Sequence, residues 1–169
     1  MSPAPSWYLV RHAIAAERGD DWPDDDVRPL THAGTARMRR AVAGMRELDM
    51  KVDVVLTSPL VRAVETAELL VAGLRPAPVL QVLAPLAPGN SPAKAADALA
   101  SISAELGIAV IGHEPGLGEL AAWLIGARTP LAFKKGGVCR IDFEGSPTAR
   151  AGRLVWFATP KMLRAMGKS

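Results

Sequence analysis

A chain of 169 residues suits one domain, 1–169, and its 49% hydrophobic and 22% charged residues let it build a core and stay in solution. The net charge of +3 favours anionic ligands or phosphorylated partners, while few aromatics and no basic stripe interleaved with them argue against a nucleic-acid platform. One cysteine, Cys139, excludes an internal disulfide and a Cys-rich zinc site, and three histidines leave a metal centre to carboxylates alone, so no metal is expected.

The opening "MSPAPS" lacks the basic and apolar stretches of a targeting segment, and no run of eighteen apolar residues follows anywhere. A cytoplasmic protein with no membrane contact is expected. Residues 6–11 read as a buried strand, and it ends on Arg11 and His12 instead of a Gly, Pro or Asn turn. Next comes "ERGDDWPDDD", with six acids and one Arg. It carries −5, so the other residues carry +8 against the total of +3. It reads as a solvated loop flanking a basic pocket, or as a loop that repels acidic partners, with Trp22 as its anchor or as an apolar contact.

A helix is predicted from about Thr31 to Leu48 with Thr31 as N-cap. "VDVVLTS" reads as a short β-branched strand, and "LVRAVETAELLVAG" as an amphipathic helix stopped by Gly73. "APVLQVL" is a weaker strand. "SPAKAADALASISAELG" reads as a helix with Ser91 as N-cap, Pro92 in its first turn and Gly107 as its stop. "IAVIGH" is an almost continuous apolar strand, and "PGLGELAAWLIG" another helix. "VCRIDFEG" and "RLVWFAT" read as a hairpin or two adjacent strands. Cys139 within the first of them reads as a buried small apolar residue. Strand–helix alternation with apolar strands predicts a mainly parallel sheet covered on both faces.

In such a sheet ligands bind beyond the carboxyl ends of the strands. Three predicted strands end there in polar residues: Arg11–His12, then Thr57–Ser58 with Arg62 on the following helix, then His113–Glu114. Each alone has an ordinary reading, as a hydrogen-bonded histidine, a solvated arginine or a plain helix start. Together on one edge they describe an anion site with imidazole chemistry. A neutral imidazole is a competent nucleophile near pH 7. Guanidiniums grip phosphate oxygens through a planar fork that lysine lacks.

Three of these stretches, "LVRHA", "TSPLVRAVETAELL" and "VIGHEPGL", run in order over nearly the whole chain. They resemble the histidine phosphatase superfamily. The short length, "RPLTHAG" and "ATPKML" make the chain most similar to the SixA-type phosphohistidine phosphatases. The resemblance implies an α/β phosphoglycerate-mutase-like fold, a three-layer αβα sandwich on a mainly parallel central sheet. It implies His12 as the nucleophile that takes the phosphoryl group, Arg11 and Arg62 holding that group, and His113 as a second pocket histidine. Ser58, Glu65 and Thr66 match the same pattern around the pocket rim, and Glu114 is expected beside the substrate. No metal or organic cofactor is implied.

Two departures stand out. Ala13 occupies a place where the family usually has Gly, so the turn after His12 is expected to differ slightly. The large insertions that carry a proton-donating Glu in mutases and sugar phosphatases are missing. Glu17, Asp20, Asp21, Glu65 and Glu114 are all candidates for a proton donor, and the sequence does not choose among them. A phosphoramidate needs less help from an acid than a phosphate ester, so a phosphohistidine of a signalling or phosphotransfer protein is the expected substrate. The alternatives are a small-molecule phosphomonoesterase or pyrophosphatase of the same superfamily, and a non-catalytic module that reads phosphate. A monomer acting on a phosphorylated protein or small substrate, without nucleic acid, is expected.

Overall fold

The computed structural model describes residues 5–102 and 106–168. Six strands form one sheet: β1 (Ser6–Arg11), β2 (Val54–Thr57), β3 (Val79–Val82), β4 (Ile108–Gly112), β5 (Val138–Phe143) and β6 (Gly152–Ala158). Their spatial order is β3-β2-β4-β1-β5-β6. The first four are parallel, and β5 and β6 add an antiparallel margin, the hairpin that the sequence suggests. The helices are α1 (His32–Glu47), α2 (Val61–Gly73), α3 (Pro92–Ala100), α4 (Gly116–Ile125) and α5 (Pro160–Met166).

The pleat sorts side chains onto two cores. Tyr8, Val10, Val55, Ala109 and Ile111 pack with Met38, Val42 and Met45 of α1, Ala67 and Leu70 of α2 and Leu163 of α5. Trp7, Leu9, Leu56, Ile108, Val110 and Cys139 pack with Leu99 of α3 and Leu117, Leu120 and Leu124 of α4. Each large aliphatic side chain so buried contributes roughly 1.5–3 kcal/mol. The result is three layers, helices on a sheet on helices.

Local signals explain most boundaries. Thr31 caps α1 by accepting from the Gly34 amide, and Ser91 caps α3 by accepting from the Lys94 amide. Gly126 closes α4 in the left-handed conformation, at φ 72°. The predicted stop at Gly107 is corrected: α3 ends at Ala100, where the Ser101 hydroxyl donates to the Ala98 carbonyl and takes it from the helical ladder. Residues 103–105, which the prediction placed in that helix, lie outside the described residues, as do the first four residues of the opening segment. Gly107 serves a different end. A β-carbon there would collide with the Lys51 carbonyl, and its backbone pairs with Asp53 where β2 and β4 begin.

β1 and β4 lie side by side, with Arg11 level with Gly112. The helix after β1 packs on one face of the sheet and the helix after β4 on the other. Between two such strands the chain opens a crevice at their carboxyl ends, the switch point of a doubly wound sheet. No helix among the described residues is long and apolar enough to cross a membrane.

Candidate active site

The tip of β1 needs no turn residue because the loop 133–137 folds over it. The Arg11 amide donates to the Gly137 carbonyl at 3.0 Å, and the His12 amide to the Gly112 carbonyl at 3.1 Å. The Gly136 amide is shared between the carbonyls of Arg11 and His12, at 3.0 and 3.2 Å, from a backbone at φ 86° that favours glycine. Pinned in this way, two cationic-type side chains are presented at the crevice.

His12 is buried, at 6% exposure. Its Nδ1 lies 2.7 Å from the Ala13 carbonyl, an acceptor only, so Nδ1 carries the proton and Nε2 keeps its lone pair. Burial pushes its pKa down to about 4; the Ala13 hydrogen bond opposes this, and the charges of Arg62, Arg11 and Lys135 add to it. The ring is thus neutral near pH 7. Ala13 itself is not at positive φ, and among the described residues only Asp49 and Arg150 are such non-glycine positions. The Ala13 amide donates to the Thr66 hydroxyl at 3.0 Å, and that hydroxyl donates to the Arg62 carbonyl at 2.7 Å. Thr66 therefore ties the turn after His12 to the helix that carries Arg62.

His113 follows β4. Its ring centroid is 5.1 Å from that of His12. Its Nε2 meets the Ser58 hydroxyl at 2.8 Å, and the same oxygen accepts from the Leu60 amide at 3.3 Å. Burial pushes the His113 pKa down to about 3, helped by His12 and Arg62 and opposed by Asp25.

The two arginines are held from behind. Arg11 Nη1 donates to the Phe133 carbonyl at 2.7 Å. Arg62, 3% exposed, gives Nη1 to the Asp25 carbonyl at 2.8 Å and Nη2 to the Asp25 carboxylate at 3.0 Å. Burial pulls both guanidinium pKa values down, opposed by Glu114 at Arg11 and by Asp25 at Arg62. Both remain protonated, since arginine titrates far above neutrality. Among the described residues four buried side-chain polar atoms lack a hydrogen-bond partner. Three of them are Arg11 Nε, Arg62 Nε and His113 Nδ1. A buried group left unpaired costs about 1–3 kcal/mol, so orphans gathered in one site describe a place built for an acceptor-rich guest.

The carboxylates sit differently. Glu65 accepts from the Leu30 amide at 2.6 Å and so fastens the segment before α1 to α2. Glu114 accepts from the Gly118 amide at 2.8 Å and the Phe133 amide at 3.4 Å, and so bridges α4 to the loop that carries the Arg11 acceptor. Ser58 is fully buried behind His113. Glu17, Asp20 and Asp21 are exposed on the loop after β1.

Sequence reasoning missed three participants. Asp25 is the counterion of Arg62, Arg28 and Arg18, at 3.0, 2.8 and 3.1 Å. Arg28, only 7% exposed, also donates to the Ala16 carbonyl and locks the loop in place. Lys135 adds positive potential at His12. The six acids of "ERGDDWPDDD" hid which one faces inward, and the double Lys before a double Gly was the available sign of a cationic turn. Among the described residues no group of three or more His, Cys, Asp or Glu side chains could hold a metal ion.

A buried imidazole with a free lone pair thus stands near Arg11, Arg62 and Lys135 at the switch point of the sheet, a candidate site for anionic groups. The pattern of the histidine phosphatase superfamily (branch 1) matches residues 7–84. An uncharacterized protein of Picosynechococcus sp. is 38% identical over 136 residues, which cover 78% of this chain and 81% of that protein. The phosphohistidine phosphatase SixA of Escherichia coli is 28% identical over 94% of this chain and 98% of its own. The solved structure of the protein histidine phosphatase SixA complexed with tungstate superposes with a TM-score of 0.81 at 26% identity, covering 92% of this chain and 97% of that one. The chain belongs to the histidine phosphatase superfamily and is of the SixA type. It is a hydrolase that acts on phosphoryl groups, with the phosphoglycerate-mutase-like fold expected from its motifs.

Proposed function

We propose that the chain removes the phosphoryl group from phosphohistidine on a protein, by way of a phosphohistidine intermediate at His12. The observation that carries the site assignment is the set of buried nitrogens without a partner, Arg11 Nε, Arg62 Nε and His113 Nδ1, together with the free Nε2 of His12. A phosphoryl group offers the acceptor oxygens they lack. Hydrogen bonds from charged donors to such oxygens are worth roughly 1.5–3 kcal/mol each.

In the first step His12 Nε2 attacks phosphorus, and the P–N bond to the substrate imidazole breaks. That imidazole leaves neutral, because its distal ring nitrogen has taken a proton from water. The Nδ1–H of His12 stays bonded to the Ala13 carbonyl, which steadies the positive charge spread over the phosphorylated ring. Ser58, donating to His113 Nε2, leaves the proton of His113 on Nδ1, so a neutral histidine donates to the transferring group. In the second step water attacks phosphorus, phosphate leaves, and His12 regains its lone pair. The charge on the transferring oxygens is met by fixed dipoles and cations, the main catalytic task in phosphoryl transfer.

The substrate reading rests on the carboxylates. Glu65 and Glu114 are committed as acceptors to backbone amides, and Asp25 to guanidiniums. An alkyl phosphate must expel an alkoxide and needs a strong general acid, whereas the neutral imidazole of a phosphoramidate does not. SixA, the relative in Escherichia coli, is named for this activity. The experiment is brief incubation with a protein carrying labelled phosphohistidine, an alkaline quench, and mapping of the label. Label on His12, with sugar phosphates and nucleotides turned over poorly in parallel, supports the reading. Label elsewhere, or faster cleavage of sugar phosphates, overturns it in favour of a small-molecule phosphatase.

A further inference from the structure

A cavity of about 430 Å³ adjoins the site on the side of α3 and α4. Its lining includes His113 but none of Arg11, His12 and Arg62. The segment 85–92 forms one wall, and Leu117 and Leu120 of α4 with Leu86 supply its apolar surface. Among the described residues the only charged ones in the lining are Glu114 and Glu119, with no lysine or arginine. The phosphoryl site beside it is cationic, so two compartments of opposite character meet at His113.

Cavities of this size hold a small ligand or a large side chain. We infer that this one receives the group next to the transferred phosphoryl, and that it selects an aliphatic or aromatic side chain without negative charge. The inference rests on the phosphatase reading above and adds the substrate class. For a protein substrate, the occupant is an apolar residue beside the phosphorylated histidine. An anionic leaving group, such as a nucleotide or a carboxylate-bearing sugar acid, would lose its hydration against apolar walls and meet Glu119 with no cation to pair with.

The test compares two aryl phosphates whose phenols are close in acidity. One is the phosphate of butyl 4-hydroxybenzoate, which is neutral and apolar beyond the ring, and the other is 4-sulfophenyl phosphate. The wild type should favour the butyl ester by about tenfold or more in kcat/KM, the scale on which pockets discriminate by apolar contact. Glu119→Lys should erase or reverse the ratio, and Ala87→Phe, which fills the cavity from another element, should lower it by slowing the ester. Equal rates in the wild type, or a ratio that neither variant moves, would overturn the cavity's assignment. A phosphohistidine protein left uncleaved while the aryl preference holds would sink the phosphohistidine reading alone. Turnover of that protein without the aryl preference would sink the cavity alone.

Discussion

His12 is pinned at three points: its amide on Gly112, its carbonyl under Gly136, and its ring on the Ala13 carbonyl. That arrangement leaves Nε2 as the ring nitrogen with a free lone pair. His12→Ala should remove turnover while the affinity for inorganic phosphate, read by calorimetry, stays within a few-fold, since the donors of Arg11, Arg62 and His113 remain. Turnover near wild type would end the nucleophile assignment. Arg62 makes a different point about shape. Its fork spans the Asp25 carbonyl and carboxylate with one hydrogen of each terminal nitrogen, and the buried Nε, which has no partner, is left over for a guest. Arg62→Lys keeps the charge and loses both the fork and Nε. One lost charge-assisted contact costs about 2 kcal/mol, so kcat/KM should fall roughly thirtyfold. A Lys variant equal to wild type would show that charge alone suffices there.

At the level of elements, the loop between β1 and α1 is more than a solvated acidic run. Its 3-10 turn, Asp25–Val27, delivers one carboxylate to two buried arginines. Partial desolvation pushes the Asp25 pKa up, but hydrogen bonds and charges from Arg28 and Arg62 outweigh this and leave it below the usual carboxylate value. Asp25→Asn should therefore lower stability by about 1–2 kcal/mol, less than breaking a fully buried pair, because the Asp25 side chain is 40% exposed. The same change frees Arg62, so added phosphate should raise Tm by more in the variant than in the wild type. Thermal unfolding with and without phosphate reads both effects. A variant as stable as wild type, with the same phosphate response, would mean that the pair does not hold the loop.

Across the whole molecule the buried imidazoles set an acid limit. The pKa values of His12 and His113 fall to about 4 and about 3 in the folded chain, against an unfolded value of about 6.5. Between those values the unfolded chain binds protons that the native one refuses. Their neutral burial thus costs nothing above pH 6.5 and weighs increasingly against folding as pH falls through 6.5 towards 4 and 3. Tm should be flat near neutrality and drop across that window. His12→Asn should flatten part of the drop, and identical acid slopes for the two proteins would exclude His12 as a cause.

Most elements were legible because their signals are local. Apolar and β-branched runs marked the parallel strands, Thr31 and Ser91 marked helix starts, and Gly73 marked the end of α2. The four principal candidates were legible because Arg11, His12 and His113 stand at or just beyond a strand end and Arg62 opens the helix after β2, where a parallel sheet gathers its ligands. Other features depended on distance in three dimensions. The role of Gly107 turned on the approach of the Lys51 carbonyl from the segment before β2. Which of six acids faces Arg62, and that Glu65 and Glu114 hold backbone amides, follows from loops that meet only after the sheet is assembled. Residue types and their order determined the family and the candidate reacting groups, because those are written in short contiguous motifs. Tertiary structure alone decided the burial that keeps His12 neutral, the counterion of Arg62 and the cavity beside His113, because these come from segments distant in the chain.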